Sequence, residues 1–289
     1  MSAERLDIHV AKNPAAGTRT KAARLIRAGL VRVNGVVVTK PSRDVAKTDC
    51  IDIAAIPTES AFRYVSRGAV KLLGAFDAFS GQGLALPTGR VCWDIGASTG
   101  GFTQVLLEKG ASRVLALDVG HGQLSPALRS DPRVVDLSRR NVRDVQAPDL
   151  PFSPDYIVSD VSFISLTYVI PVIARVLRQE QETGAAVGAA VGTPSSAGVP
   201  PVEIVLLIKP QFEVGRGKLS KNGIVTDPVL RQTVIDTVVC CARSNGFSTK
   251  GCIPSPILGT HGNREYLLWL RPASARDQDS VQAQDRAPH

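Results

Sequence analysis

Asp94-Ile95-Gly96-Ala97-Ser98-Thr99-Gly100-Gly101-Phe102 is the stretch whose reading decides the fold. It follows the short apolar run Val91–Trp93 and opens the helical pattern Phe102–Lys109. An acidic residue closing a strand, then a glycine-rich turn into a helix, is how an open α/β sheet holds an adenosine-bearing cofactor. Glycines let the backbone approach the ligand with no Cβ in the way. The spacing is not G-x-G-x-x-G, so the turn suits a pyrophosphate poorly. The next strand, Arg113–Leu117, ends in Asp118, where a carboxylate can take both hydroxyls of a ribose. Together these features point to S-adenosylmethionine (SAM) rather than a dinucleotide. An ordinary βα turn accounts for the glycines alone, but that explanation weakens with Asp118 at the end of the following strand.

Around this turn the chain alternates strand and helix patterns, which imply a parallel sheet. Strands are expected near Val91–Asp94, Arg113–Asp118, Val134–Leu137, Tyr156–Ser159 and Glu203–Lys209, with two more near Ser248–Ile253 and Glu265–Leu270. Helices are expected at Val70–Phe79, Thr167–Arg178 and Pro228–Asn245. Residues 182–201 are rich in Ala, Gly, Ser and Pro without periodicity and read as a flexible insertion. The polar stretch 273–289 reads as a disordered tail.

Residues 1–56 form a separate small module, joined through a linker at 57–65 to a large domain at 66–272. Within the module, Thr20–Ala28 has an apolar face of Ala22, Leu25 and Ile26 and ends at Gly29, a natural helix terminator. Val31–Val33 and Val36–Val38 flank Asn34-Gly35, a type I′ hairpin signal. From Lys12 to Lys47 the only acidic residue is Asp44, so basic charge is concentrated here. A basic helix beside a short hairpin makes a platform for a phosphate backbone. A solvated basic face is the competing explanation, and composition does not separate the two.

The bulk numbers agree with an acidic partner. The 289 residues carry a formal charge of +8, and such a balance favours nucleic acid first and a membrane surface second. The five cysteines are odd in number and contain no C-x-x-C, which fits a reducing cytoplasm and neither a disulfide framework nor a metal site. The N-terminus lacks a signal-peptide core, and the longest apolar runs are far short of a bilayer span.

Four polar residues fall at strand ends or helix starts, where a doubly wound sheet collects its ligands: Lys71, Asp160, Lys209 and Glu265. Singly, each has a plain structural explanation. As a set, within SRGAVKL (66–72), DIGASTGGF (94–102), ALDVGHGQL (116–124), DYIVSDVSFISL (155–166), LIKPQFEVGRG (207–217) and GNREYLLWL (262–270), they resemble the TlyA family. These are bacterial rRNA 2′-O-methyltransferases, some of which carry a haemolysin label. The resemblance implies a Rossmann-like, FtsJ-type SAM-dependent methyltransferase domain preceded by a small α+β S4-like RNA-binding domain. It further implies a Lys-Asp-Lys-Glu tetrad at Lys71, Asp160, Lys209 and Glu265. The cofactor residues it implies are Asp94, Gly96, Ser98, Gly100, Asp118 and, at the adenine end, Asn141. Candidate phosphate contacts in the basic module are Arg5, Arg19, Lys21, Arg24 and Lys40.

The chemistry has its own logic. SAM is already an activated methyl donor, so the difficulty lies with the ribose 2′-hydroxyl, a weak nucleophile at neutral pH. Such a group needs a base or an oxyanion stabiliser. Lys209 is expected to act as that base with Asp160 orienting it, or to stay charged and stabilise the developing alkoxide. The expected activity is methylation of ribose, of cytidine by family resemblance, in rRNA of the small and possibly the large subunit. The expected partner is rRNA or a ribosomal subunit. A membrane-active haemolysin and a catalytically silent assembly factor are the alternatives. The absence of a span counts against the first, and the intact cofactor turn and four tetrad positions against the second.

Overall fold

The structure is a computed structural model that describes residues 4–54, 63–191, 200–215, 217, 219–220 and 222–274. Part of the expected linker, residues 192–199 of the expected insertion and the expected tail from 275 onward lie outside the described residues.

The N-terminal unit contains β1 (Glu4–Arg5), α1 (Leu6–Ala11), α2 (Arg19–Arg27), β2 (Val31–Val33), β3 (Val36–Val37), β4 (Asp44–Val45) and β5 (Ile51–Ile53). Thr18 caps α2 by accepting the Lys21 N–H (3.2 Å). The predicted apolar face is what α2 buries: Ala22, Leu25 and Ile26 join Leu6, Val10, Val31 and Val33 in one small core. The β2–β3 hairpin turns through Asn34 (φ 52°) and Gly35 (φ 78°), the two left-handed residues of a type I′ turn.

The larger unit is built on seven strands: β6 (Val91–Ile95), β7 (Arg113–Asp118), β8 (Val134–Ser138), β9 (Tyr156–Ser159), β10 (Glu203–Ile208), β11 (Phe247–Pro254) and β12 (Tyr266–Pro272). Its helices are α3 (Gly68–Phe79), α4 (Gly101–Glu108), α5 (Pro126–Arg129), α6 (Leu166–Val191), α7 (Pro210–Glu213) and α8 (Pro228–Ser244). The spatial order is β11-β12-β10-β9-β6-β7-β8. Period-two alternation in β10 feeds two cores. Val205 and Leu207 pack with residues of α3 and α4, whereas Ile204, Leu206 and Ile208 pack with α6 and α8. Burying each such side chain stabilises the fold by roughly 1.5–3 kcal/mol.

Two expectations are corrected. The sheet is not all parallel: β12 runs antiparallel to both β10 and β11. A short segment between β11 and β12, without a crossover helix, allows that reversal. Secondly, α6 continues to Val191, well past Arg178 and into the expected insertion. Alanines 185, 186, 189 and 190 are strong helix formers, and they outweigh the glycines that made this segment read as a loop.

Candidate active site

The parallel strands β6, β7, β9 and β10 end at one edge of the sheet, and their registers fix which residues meet there. Ile95 is level with Leu117 on one side and Ser159 on the other, so Gly96, Asp118 and Asp160 emerge side by side. Gly96 has φ +88°, and a Cβ there would stand 3.0 Å from the Asp160 carbonyl oxygen. Only glycine lets these two strand ends approach so closely.

Two depressions open along this edge. The larger is a cavity of about 930 Å³ bordered by Gly96, Ser98, Asp118, Asn141, Asp160 and Phe163, among others. The smaller, of about 290 Å³, is bordered by Lys71, Asp160, Ser162 and Lys209, and also by Thr20 and Arg24 of the N-terminal unit. They share Gly96, Ser98, Asp160 and Ser162, so a group in one is adjacent to a group in the other.

The residues of the larger cavity fit SAM. Asp118 accepts the Ser98 N–H on one carboxylate oxygen (2.8 Å) and the Gly120 N–H on the other (2.7 Å). Each oxygen keeps a second lone pair, which is what a vicinal diol needs. Asn141 Oδ1 caps a short 3-10 turn by accepting the Arg143 N–H (3.1 Å). The cavity lies within the usual size range of cofactor sites.

Two expected cofactor residues are placed elsewhere. Asp94 is fully buried and borders neither depression; its Oδ2 accepts the Thr103 hydroxyl (2.6 Å), tying β6 to α4. Burial pushes its carboxyl up to about 7, against the Thr103 hydrogen bond. Its site is therefore a brace beneath the turn. Gly100 also borders neither depression, and Leu124 and Leu128 occupy the space its side chain would need.

The tetrad positions meet as two ion pairs. Lys71 Nζ lies 2.6 Å from Glu265 Oε2, and Lys209 Nζ lies 2.6 Å from Asp160 Oδ1. Lys71, Lys209 and Glu265 are all buried, and Asp160 is partly open. Lys209 also donates to Ser162 Oγ (2.9 Å), and Gln211 Nε2 donates to Glu265 Oε1 (3.2 Å). Ser162 and Gln211 escaped sequence reasoning, although both lie inside quoted motifs. So did Phe163, which is 90% exposed at φ +64°, beside Phe212 with ring centroids 4.9 Å apart. Left-handed backbone at a bulky residue is an outlier that sequence gives no means of seeing.

The five basic candidates separate into three groups. Arg5 and Arg19 both bind Asp7, at 2.9 and 3.1 Å, and Arg5 is the main cause of an Asp7 carboxyl held down at about 2. Lys21 and Arg24 point toward the junction with the larger unit, donating to the carbonyls of Arg63 (3.5 Å) and Tyr64 (3.3 Å). Lys40 is exposed on the N-terminal unit.

The FtsJ-like methyltransferase family profile matches residues 64–272, and the S4 domain profile matches residues 4–51. The 16S/23S rRNA (cytidine-2′-O)-methyltransferase TlyA of Mycobacterium tuberculosis is 42% identical over 272 residues, covering 94% of this chain and 91% of that protein. The chain belongs to the TlyA family. Hemolysin A of Brachyspira hyodysenteriae, 39% identical over 91% of this chain and 98% of its own, is a second relative. A solved structure described as a hemolysin of Streptococcus thermophilus aligns over 99% of this chain and 100% of its own, at 33% identity and a TM-score of 0.67. TlyA relatives thus carry two kinds of name on one architecture. Among the described residues no helix is long and apolar enough to cross a membrane.

Proposed function

We propose that this protein is a SAM-dependent methyltransferase that transfers a methyl group to the 2′-hydroxyl of cytidine in rRNA of the small, and possibly the large, subunit. One observation carries the reading: the cofactor-sized cavity and the tetrad cleft share Gly96, Ser98, Asp160 and Ser162. A methyl donor held in the first would therefore stand next to a ribose held in the second. SAM supplies an activated methyl; Asp118 and Asn141 hold its adenosine, and Gly96 and Ser98 line the turn beneath it. Lys209 acts on the 2′-oxygen as the base, held in place by Asp160 and Ser162. Lys71 borders the cleft and positions the ribose, and Glu265 holds Lys71 in place through their ion pair. An unstacked target base has an aromatic face available in Phe163, the usual device for single-stranded RNA bases.

The division into an RNA-binding unit at 1–56, a linker at 57–65, a catalytic unit at 66–272 and a tail at 273–289 belongs to the same proposal, as does action in the cytoplasm. Lys40 is the phosphate contact most open to a distant RNA segment, whereas Arg5 and Arg19 are partly committed to Asp7. Mapping 2′-O-methyl groups on rRNA from cells with and without this gene tests the reading. Loss of one or more cytidine marks in its absence is the expected result, and an unchanged map contradicts it.

A further inference from the structure

Arg24 belongs to the N-terminal unit, yet it borders the cleft that holds Lys71 and Lys209. It reaches that cleft because α2 docks on the segment joining the two units, with Arg24 Nη1 donating to the Tyr64 carbonyl (3.3 Å). The segment is fastened from its other side by the Val65 N–H on Gln104 Oε1 (2.9 Å) and the Arg63–Glu108 ion pair (2.6 Å). Arg67, the residue preceding α3, borders the same cleft.

Three observations make this corner a place for an anion. Arg24 and Arg67 border one cleft, and burial first and the Arg67 charge second push Arg24 below the usual arginine range. Like charges gathered in a partly closed site disfavour one another, and an anion bound there offsets the cost. The first residues of α3 and α4, Gly68 and Gly101, border the same cleft, with the Asp160 carboxylate beside Gly68 and Ser66 packed on Gly101. Finally, Thr20, at the start of α2, adds a hydroxyl to the rim.

We propose that Arg24 and Arg67 together hold the phosphodiester flanking the target ribose, so that the RNA-binding unit completes the active-site cleft rather than only tethering the RNA. The inference rests on the ribose-methyltransferase reading above. Planar guanidiniums bind phosphate oxygens two at a time and fix orientation as well as charge. With its phosphate so held, the sugar is set at a fixed distance from Lys209. Docking on the N-terminal unit and chemistry in the catalytic unit are then coupled.

The test uses full-length protein, ribosomal subunits and protein-free rRNA from cells lacking the gene, and single-turnover transfer of labelled methyl from SAM at saturating concentrations of whichever substrate the wild type methylates. Arg24→Gln and Arg67→Gln each lower the saturating rate by about 10- to 100-fold, the scale of a misplaced reactant. SAM affinity stays within about twofold, which also reports an intact fold, and RNA affinity falls by less than about tenfold, as for one lost phosphate contact. Arg24→Lys recovers part of the rate, and the double variant is little worse than either single one, because one phosphate is shared. Unchanged saturating rates in both variants, or losses that multiply in the double variant, would overturn the proposal. Absence of transfer by the wild-type protein, with SAM bound, to subunits and to protein-free rRNA alike would instead overturn the underlying reading, and this inference with it.

Discussion

Lys71 Nζ lies 2.6 Å from Glu265 Oε2, joining the first turns of α3 to the entry of the last strand. The contact depends on strand direction. Because β12 runs antiparallel to β10, with Tyr266 paired to Ile208, its first residues lie at the end of the sheet where β10 finishes. A parallel β12 would begin at the far edge, and Glu265 would never meet Lys71. The reversal is therefore what closes the tetrad.

Removing one member of this buried pair strands the other charge. Glu265→Ala is expected to lower stability by about 3–5 kcal/mol, measured by urea unfolding. Replacing both partners with apolar residues of similar volume restores most of that stability but leaves methyl transfer depressed. Restored activity in the double variant would mean that the pair serves only the fold.

Lys209→Ala is expected to abolish methyl transfer while SAM affinity changes by less than about threefold, since the side chain faces the cleft next to the cofactor cavity. Lys209→Arg separates the two chemical roles. A guanidinium keeps the charge but takes no proton, so loss of transfer as deep as in Lys209→Ala supports the base. Substantial retained activity assigns Lys209 to stabilising the alkoxide as a cation. Single-turnover rates for both variants decide the matter.

Gly96→Ala puts a Cβ against the Asp160 carbonyl at φ +88°. Either the strand ends separate or the turn shifts, and both disturb the cavity floor. SAM affinity by isothermal titration calorimetry is expected to fall by at least about tenfold, with far-ultraviolet circular dichroism unchanged. Wild-type affinity would show that the turn tolerates a side chain and that its closeness is incidental.

Asp94 gives a pH dependence. Burial raises its carboxyl from an ordinary 3.8 to about 7 in the folded protein. The folded state thus holds a proton that the unfolded chain releases between these values, so the Asp94 contribution to stability is fully present below pH 4 and is lost as pH rises through 7. Asp94→Asn cannot ionise and is expected to raise the melting temperature relative to wild type more at pH 8 than at pH 5. An equal shift at both pH values would show that Asp94 is not protonated in the fold.

The strand runs, the Asn-Gly hairpin and the acidic ends of β6 and β7 were legible in the sequence because each is a local pattern with a local physical cause. Strand direction was not, since Tyr266–Leu270 reads the same either way and only its partner decides. The Asp94 acid stands just before the glycine turn, but alternation along β6 sends its side chain to Thr103 and away from the cavity. Arg19 reads as an open cation because its partner Asp7 lies outside the stretch from Lys12 to Lys47, and Arg5 because a residue two positions away is paired with it only once the chain folds. Arg67 lies inside the SRGAVKL motif but carries no signal of its own there, and only the fold shows that it borders the cleft of Lys209.

The most direct measurement is transfer of labelled methyl from SAM to rRNA by the purified full-length protein, followed by nuclease digestion and identification of the labelled nucleoside. The account predicts 2′-O-methylcytidine as the product, formed by the wild type and absent with Lys209→Ala. Label on a base, or none on rRNA whether offered free or within ribosomal subunits despite bound SAM, would contradict it.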